Sequence, residues 1–163
     1  MEYLSLQSPT GPLTVFEEAE KIIVVEWGQA KGGNETPLLL EAKNQLADYF
    51  AGERQVFDLP LKPEGTDFQQ AVWQQMLVIP YGETKTYGDL ASSLNSAARA
   101  VGGACGKNPI PIIIPCHRVM GANGKLTGFS GGEGISTKQA LLRLESLVKH
   151  GSIENNKQAG FDF

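Results

Sequence analysis

The sequence predicts an α/β (α+β) protein in two parts: a small N-terminal sheet-plus-helix domain over residues 1–62, then a mostly helical domain with a helix-turn-helix over residues 66–151. Three observations lead there. Period-two alternation and β-branched runs cluster in the first 27 residues, the signature of half-buried strands, and Ile112-Ile113-Ile114 is a later run of that kind. Helical spacing with capping residues begins at Thr36-Pro37 and recurs to about residue 150. Between the two parts, Arg54 to Gly65 carries Pro60 and Pro63 and reads as a linker. The 163 residues suffice for one ordinary domain or two small ones, and residues 152–163 form a polar tail.

In the first part, Leu4 and Leu6 alternate with polar neighbours, and Ser8-Pro9-Thr10-Gly11-Pro12 breaks the run with turn-forming residues. Leu13-Thr14-Val15-Phe16 and Ile22-Ile23-Val24-Val25-Glu26-Trp27 predict two more strands joined by an acidic turn. Gly28 to Glu35 is a loop. Thr36 supplies an N-cap and Pro37 a first-turn proline for a helix that Gly52 closes. Its apolar residues Leu39, Ala42, Leu46, Tyr49 and Phe50 recur at helical spacing. No catalytic cluster is visible here, and no cysteine or histidine precedes Cys105, which argues against a zinc site. The expected role of this part is structural.

In the second part, Thr66 or Asp67 caps a helix whose residues Phe68, Ala71, Val72, Met76 and Leu77 share one broad face, and Pro80-Tyr81-Gly82 ends it. Thr86-Tyr87-Gly88-Asp89 has the capping-box pattern and opens a short helix through Leu90, Ala91 and Leu94. After a tight turn at Asn95-Ser96, Ala97 to Ala104 forms a second helix of small residues. Two short helices with a tight connection make a helix-turn-helix, which serves DNA binding but also plain helix packing. Adjacent Gly102 and Gly103 cost the helix about 1 kcal/mol each relative to alanine. Such residues let another backbone come close, either a nucleic acid beside Arg99 or the segment before Cys116.

The net charge of −4 disguises an asymmetry. Residues 1–60 hold ten acidic and four basic side chains, whereas residues 61–163 hold eight acidic and ten basic. From Lys85 to Lys125 the bases are Lys85, Arg99, Lys107, Arg118 and Lys125 against the single acid Asp89. Such a local surplus can contact a phosphate backbone in an acidic protein, although an ordinary mixed surface is the competing reading. No apolar run reaches the roughly 18 residues of a membrane span, and Met1-Glu2-Tyr3-Leu4-Ser5 does not resemble an export signal. Two cysteines with no such signal point to free thiols in the cytoplasm.

The chemistry concentrates at Pro115-Cys116-His117-Arg118. Ile112-Ile113-Ile114 predicts a short buried strand that Pro115 stops, so that a thiol, an imidazole and a guanidinium arrive together. A thiolate is a strong nucleophile, and a nearby cation lowers its pKa from about 8.5. A buried structural cysteine beside a histidine bonded to a carbonyl is the alternative. Glu145, on a helix expected from about Ser136 to His150, lies within one turn of Leu141, Leu142 and Val148. A carboxylate on that apolar face needs a partner and is a candidate to orient His117; Arg143, Lys149 or solvent would serve otherwise. The loop Asn123 to Gly132 offers Phe129 as a flat wall and Ser130 as a hydroxyl, or is simply a surface loop.

Asn108-Pro109-Ile110-Pro111-Ile112-Ile113-Ile114-Pro115-Cys116-His117-Arg118-Val119 resembles the active-site signature of the O6-alkylguanine-DNA alkyltransferases, also called methylated-DNA–protein-cysteine methyltransferases. The resemblance continues through Gly128-Phe129-Ser130-Gly131-Gly132 and Leu141-Leu142-Arg143-Leu144-Glu145 and begins near Phe68-Gln69-Gln70-Ala71-Val72-Trp73, covering residues 66 to about 148. It implies direct repair of O6-methylguanine in double-stranded DNA by irreversible transfer of the alkyl group to Cys116. His117, held by Glu145, would take the thiol proton through water. By the same resemblance the second helix enters the minor groove, Arg99 replaces the extruded base, Tyr87 helps rotate it out, and Phe129 and Ser130 line its pocket. Many members of the family carry tyrosine where Phe129 stands. Asn108 and Arg118 belong with the substrate and DNA contacts.

The expectation is therefore a monomeric, single-turnover methyltransferase that needs no cofactor or metal and touches no membrane. O4-methylthymine is an open second substrate. Two other classes remain open on the residues alone: a Cys-His hydrolase, and a DNA-binding regulatory module without transfer.

Overall fold

The computed structural model describes residues 1–127 and 131–151. Phe129, Ser130 and the tail from Ser152 lie outside the described residues.

The first part is an antiparallel meander of β1 (Glu2–Leu6), β2 (Leu13–Glu18) and β3 (Lys21–Trp27). Leu4 pairs with Val15 and Leu6 with Leu13, while Val15 pairs with Val25. The β2–β3 turn places Ala19 and Glu20 at φ of 52° and 61°, the left-handed pair that a tight hairpin with right-twisted strands demands. Helix α1 (Pro37–Phe50) covers the sheet. The Thr36 hydroxyl accepts from the Leu39 amide, and Pro37 occupies the first turn, as its missing N–H and preset φ favour. Leu39, Ala42, Leu46 and Tyr49 are buried.

The linker is not free chain. The Ile22 amide donates to the Pro60 carbonyl at 2.8 Å, and the Lys62 amide donates back to the Ile22 carbonyl at 2.8 Å. Further along β3, the Val25 amide donates to the Pro109 carbonyl at 2.9 Å. The outer edge of β3 is thus capped by the linker and by the segment leading to Cys116, which removes an open edge and ties the two parts together.

In the second part, α2 (Asp67–Leu77) opens on a complete capping box between Thr66 and Gln69. Its buried residues are Val72, Trp73 and Met76; Phe68 and Leu77, expected on the buried face, are 37 % and 38 % exposed. Trp73 takes the centre because its indole N–H reaches the Ala104 carbonyl at 2.9 Å, which joins α2 to α4 (Ala98–Gly106). A two-residue strand, β4 (Lys85–Thr86), precedes α3 (Tyr87–Leu94), which opens on the Thr86–Asp89 capping box. Asn95, at φ 53°, closes α3 in the left-handed conformation, and the Asn95–Ala97 connection leads into α4.

Ile112-Ile113-Ile114 is buried but is not a strand. The segment is a tight turn in which the Ile114 amide donates to the Ile110 carbonyl at 2.9 Å and Ile112 stands at φ +74°. A β-branched residue in that region is strained, and surrounding bonds must hold it. Asn108 does so: its amide nitrogen donates to the Ile114 carbonyl at 2.8 Å and its oxygen accepts from the Ile110 amide at 2.9 Å. Burial of all three isoleucines was legible from composition, but their backbone geometry was not. A 3-10 turn at Cys116–Arg118, the strand β5 (Val119–Met120) paired in parallel with β4, and helix α5 (Ile135–Lys149) follow.

Candidate active site

Cys116, His117 and Arg118 share one 3-10 turn, so successive side chains diverge around its axis. Cys116 is partly exposed, whereas His117 and Arg118 are buried. The turn packs on α5, which brings Glu145 beneath it.

Glu145 is 1 % exposed and accepts five hydrogen bonds. Oε2 meets His117 Nε2 at 2.6 Å, the Tyr49 hydroxyl at 2.7 Å and Arg118 Nη2 at 3.0 Å. Oε1 meets Arg118 Nε at 2.7 Å and the Gly82 amide at 3.3 Å. Burial alone would raise the carboxyl pKa, but the His117 and Arg118 charges and hydrogen bonds outweigh it and hold the group well below the usual carboxylate range. An ionised carboxylate only accepts, so His117 Nε2 carries a proton and donates to it. That bond sets the tautomer: in the neutral ring, Nδ1 holds the lone pair. Nδ1 is buried and has no hydrogen-bond partner among the described residues, which leaves it available as a base.

Arg118 sits otherwise than expected. Beyond its two bonds to Glu145, its Nη1 donates to the Ile79 carbonyl at 2.8 Å and its guanidinium lies over the Tyr81 ring at 5.5 Å. It faces the interior and pairs with the carboxylate, where a buried charge is tolerated only when matched. The cation felt by the thiol is Lys138, which the sequence reading passed over. Lys138 is fully buried; its ammonium donates to the Val119 carbonyl at 2.5 Å and the Thr127 carbonyl at 2.8 Å, and lies 5.7 Å from the Tyr87 ring centroid. Its position three residues before Leu141 and seven before Glu145 puts it on the buried stripe of α5, a signal that could have found it.

Burial pushes the Cys116 thiol up from 9.0; a hydrogen bond from the Asn108 amide and the Lys138 charge oppose the rise without cancelling it. At rest the Cys116 side chain is therefore a thiol and not a preformed thiolate. Cys116, Cys105, Asn108, Pro111 and Trp27 open on a cavity of about 610 Å³. Arg99, Gly102 and Tyr87 line a second hollow of about 480 Å³ with Thr127. Arg99 is exposed, and its neighbours Ala98 and Ala100 are exposed with it. Tyr87 donates to the Thr127 carbonyl at 3.0 Å, and burial first, then the Cys105 charge, raises its phenol to about 12.

Comparison with known proteins establishes the family. Residues 67–147 match the family description "6-O-methylguanine DNA methyltransferase, DNA binding domain" and residues 1–63 match "6-O-methylguanine DNA methyltransferase, ribonuclease-like domain". The chain belongs to the 6-O-methylguanine DNA methyltransferase family. It is 46 % identical to the methylated-DNA–protein-cysteine methyltransferase of Methanosarcina acetivorans, over 89 % of this chain and 98 % of that one. The constitutive enzyme of that name from Bacillus subtilis is 44 % identical over 89 % of this chain and 95 % of its own. Among solved structures, the Mycobacterium tuberculosis OGT in complex with DNA superposes with a TM-score of 0.83 at 46 % identity, covering 91 % of this chain and 94 % of that one. The α/β class read from the sequence is that of this methyltransferase neighbour.

Proposed function

We propose that this methyltransferase repairs O6-alkylguanine in double-stranded DNA by moving the alkyl group to Cys116. The observation that carries the reading is the 2.6 Å bond between His117 Nε2 and the ionised Glu145, one residue from a thiol that opens on a cavity. A water between Cys116 and His117 Nδ1 takes the thiol proton to the ring, because side chains adjacent in sequence on a 3-10 turn are badly placed for a direct bond. Glu145 stabilises the imidazolium. The thiolate attacks the alkyl carbon as the O6–carbon bond breaks, and the guanine leaves with the electron pair and gains a proton. Tyr87, kept protonated by burial, and backbone donors are the groups we assign to the departing base. The product thioether has no good leaving group, so each molecule reacts once, and the bonds made and broken balance without any cofactor.

In this reading α3 and α4 act as a helix-turn-helix with α4 in the minor groove and Arg99 in place of the extruded base, since chemistry on a base requires taking it out of the stack. The exposed Ala98, Arg99, Ala100 and Gly103 support that face as the docking surface. Phe129 and Ser130 are assigned to the base pocket by their place in the family signature. The chain works as a monomer in the cytoplasm; two free cysteines fit a reducing compartment, and among the described residues no helix is long and apolar enough to cross a membrane. Incubation with an O6-methylguanine oligonucleotide should add one methyl group, about 14 Da, to the peptide containing Cys116 and not to that containing Cys105. Transfer by Cys116→Ser would overturn the assignment. Duplex binding with no gain in mass would leave a regulatory module, and repeated turnover of a thioester would leave a hydrolase.

A further inference from the structure

Tyr49 lies 96 residues from Glu145 in the sequence, on α1, yet its hydroxyl donates to Glu145 Oε2 at 2.7 Å in a fully closed environment. We propose that Tyr49 is a positioning residue for alkyl transfer: it holds the Glu145 carboxylate in the orientation that fixes His117, and so makes the N-terminal part a component of the active site. The inference rests on the proton relay from Cys116 through His117 to Glu145.

The oxygen that Tyr49 contacts is the one that His117 uses. Arg118 grips both carboxylate oxygens, and the Gly82 amide adds a longer bond to Oε1. These charges would keep Glu145 ionised without a phenol. What Tyr49 adds is direction, because a third donor on Oε2 limits the rotation of the carboxylate about its terminal bond and with it the angle offered to Nε2. The phenol is itself held. Its ring meets Phe50 edge-on at 5.2 Å, Phe57 at 5.4 Å and Tyr81 edge-on at 6.2 Å. Burial, followed by the charge of Glu145 and the hydrogen bond to it, raises its pKa well above 10.0, so it remains a donor at any working pH.

Tyr81 is the internal comparison. It is 8 % exposed, belongs to the same aromatic cluster, and its hydroxyl has no hydrogen-bond partner among the described residues. Packing in this cluster therefore does not oblige a phenol to reach the carboxylate. Of these two buried tyrosines, it is Tyr49 that does.

The test compares Tyr49→Phe and Tyr81→Phe, each of which removes one hydroxyl and keeps the ring. Tyr49→Phe should slow transfer at saturating substrate roughly three- to tenfold, the worth of one buried hydrogen bond. The factor should be the same on methylated duplex and on the free base O6-benzylguanine, and half-saturating DNA should be unchanged. Tyr81→Phe should transfer at the parent rate. In a double-mutant cycle, Tyr49→Phe should add no slowing to Glu145→Gln, because the donor then has no carboxylate to orient. His117→Ala replaces Glu145→Gln in the cycle if the latter does not fold. Parent rate for Tyr49→Phe, or slowing that multiplies with that of Glu145→Gln, overturns the proposal. Parent rate for Glu145→Gln overturns the relay and this inference together, whereas a slow Glu145→Gln with a parent-rate Tyr49→Phe removes only the role of Tyr49.

Discussion

His117 Nε2 and Glu145 Oε2 lie 2.6 Å apart, with the two side chains 0 % and 1 % exposed. Water cannot screen such a pair, so its contribution to folding and to proton transfer depends on both groups keeping their charge or polarity.

Folding favours ionised Glu145: although burial opposes it, His117 and Arg118 hold its carboxyl well below the ordinary 4.5. The unfolded chain therefore takes up this proton at a higher pH than the folded one. The stabilisation is fully present above about pH 4.5 and is lost as pH falls from there toward the folded value. Tm should drop more steeply on acidification below about pH 4.5 in the parent than in Glu145→Gln. The variant should be less stable at neutral pH by about 3–5 kcal/mol, since Arg118 is left buried without its partner. Parallel Tm–pH curves would mean that folding does not shift the Glu145 pKa and that His117 and Arg118 do not favour its ionised form.

Lys138 opposes the rise that burial imposes on the Cys116 thiol. Lys138→Met should raise that pKa further and slow transfer at neutral pH by roughly tenfold, with the loss shrinking as pH rises. The pH dependence of transfer to Cys116, with thiolate ultraviolet absorbance alongside, separates this from a role as a strut for the Val119 and Thr127 carbonyls. A strut lost would lower Tm and leave the shape of the profile unchanged.

Arg99 is an exposed cation beside the exposed alanines of α4. If it fills the gap left by an extruded base, Arg99→Ala should transfer slowly from duplex even at saturation and react almost normally with free O6-benzylguanine. A phosphate-only contact predicts weaker binding with a smaller salt slope and little change at saturating DNA. Equal slowing on duplex, single strand and free base would mean damage to the pocket, and the groove-facing role would be withdrawn.

A Cβ added at Gly103 would meet nothing within 4 Å among the described residues, so no contact among them requires this glycine. Gly103→Ala should stabilise the free protein by about 0.5–1 kcal/mol through helix propensity. If α4 lies against DNA, the same methyl group should weaken duplex affinity several-fold and leave free-base transfer untouched. A variant that is more stable and binds duplex as well as the parent would sink the placement of this face on DNA.

The sequence by itself determined what depends on neighbours a few residues apart. Thr36, Thr66 and Thr86 cap their helices through bonds to amides three residues on, and Pro37 and Asn95 punctuate helices by their own backbone preferences. The alternation of Leu4, Leu6, Leu13 and Val15 specified the meander, and Pro115-Cys116-His117-Arg118 placed a thiol, an imidazole and a guanidinium side by side. Tertiary structure decided the rest. Ile112-Ile113-Ile114 looks like a buried strand by composition, but two side-chain bonds of Asn108 hold the segment in a turn with Ile112 at positive φ. Arg118 turns inward because Glu145, 27 residues away, offers both carboxylate oxygens in a dry site. Tyr49 reaches the same carboxylate across 96 residues, and Lys138 reaches Val119 and Thr127 from another element. Helical spacing marks Lys138 as buried, but which groups these side chains meet leaves no periodic trace in the chain. The direction of the thiol's pKa shift followed the same division, since a nearby cation can be guessed from sequence but desolvation, here the larger effect, exists only once the core has closed.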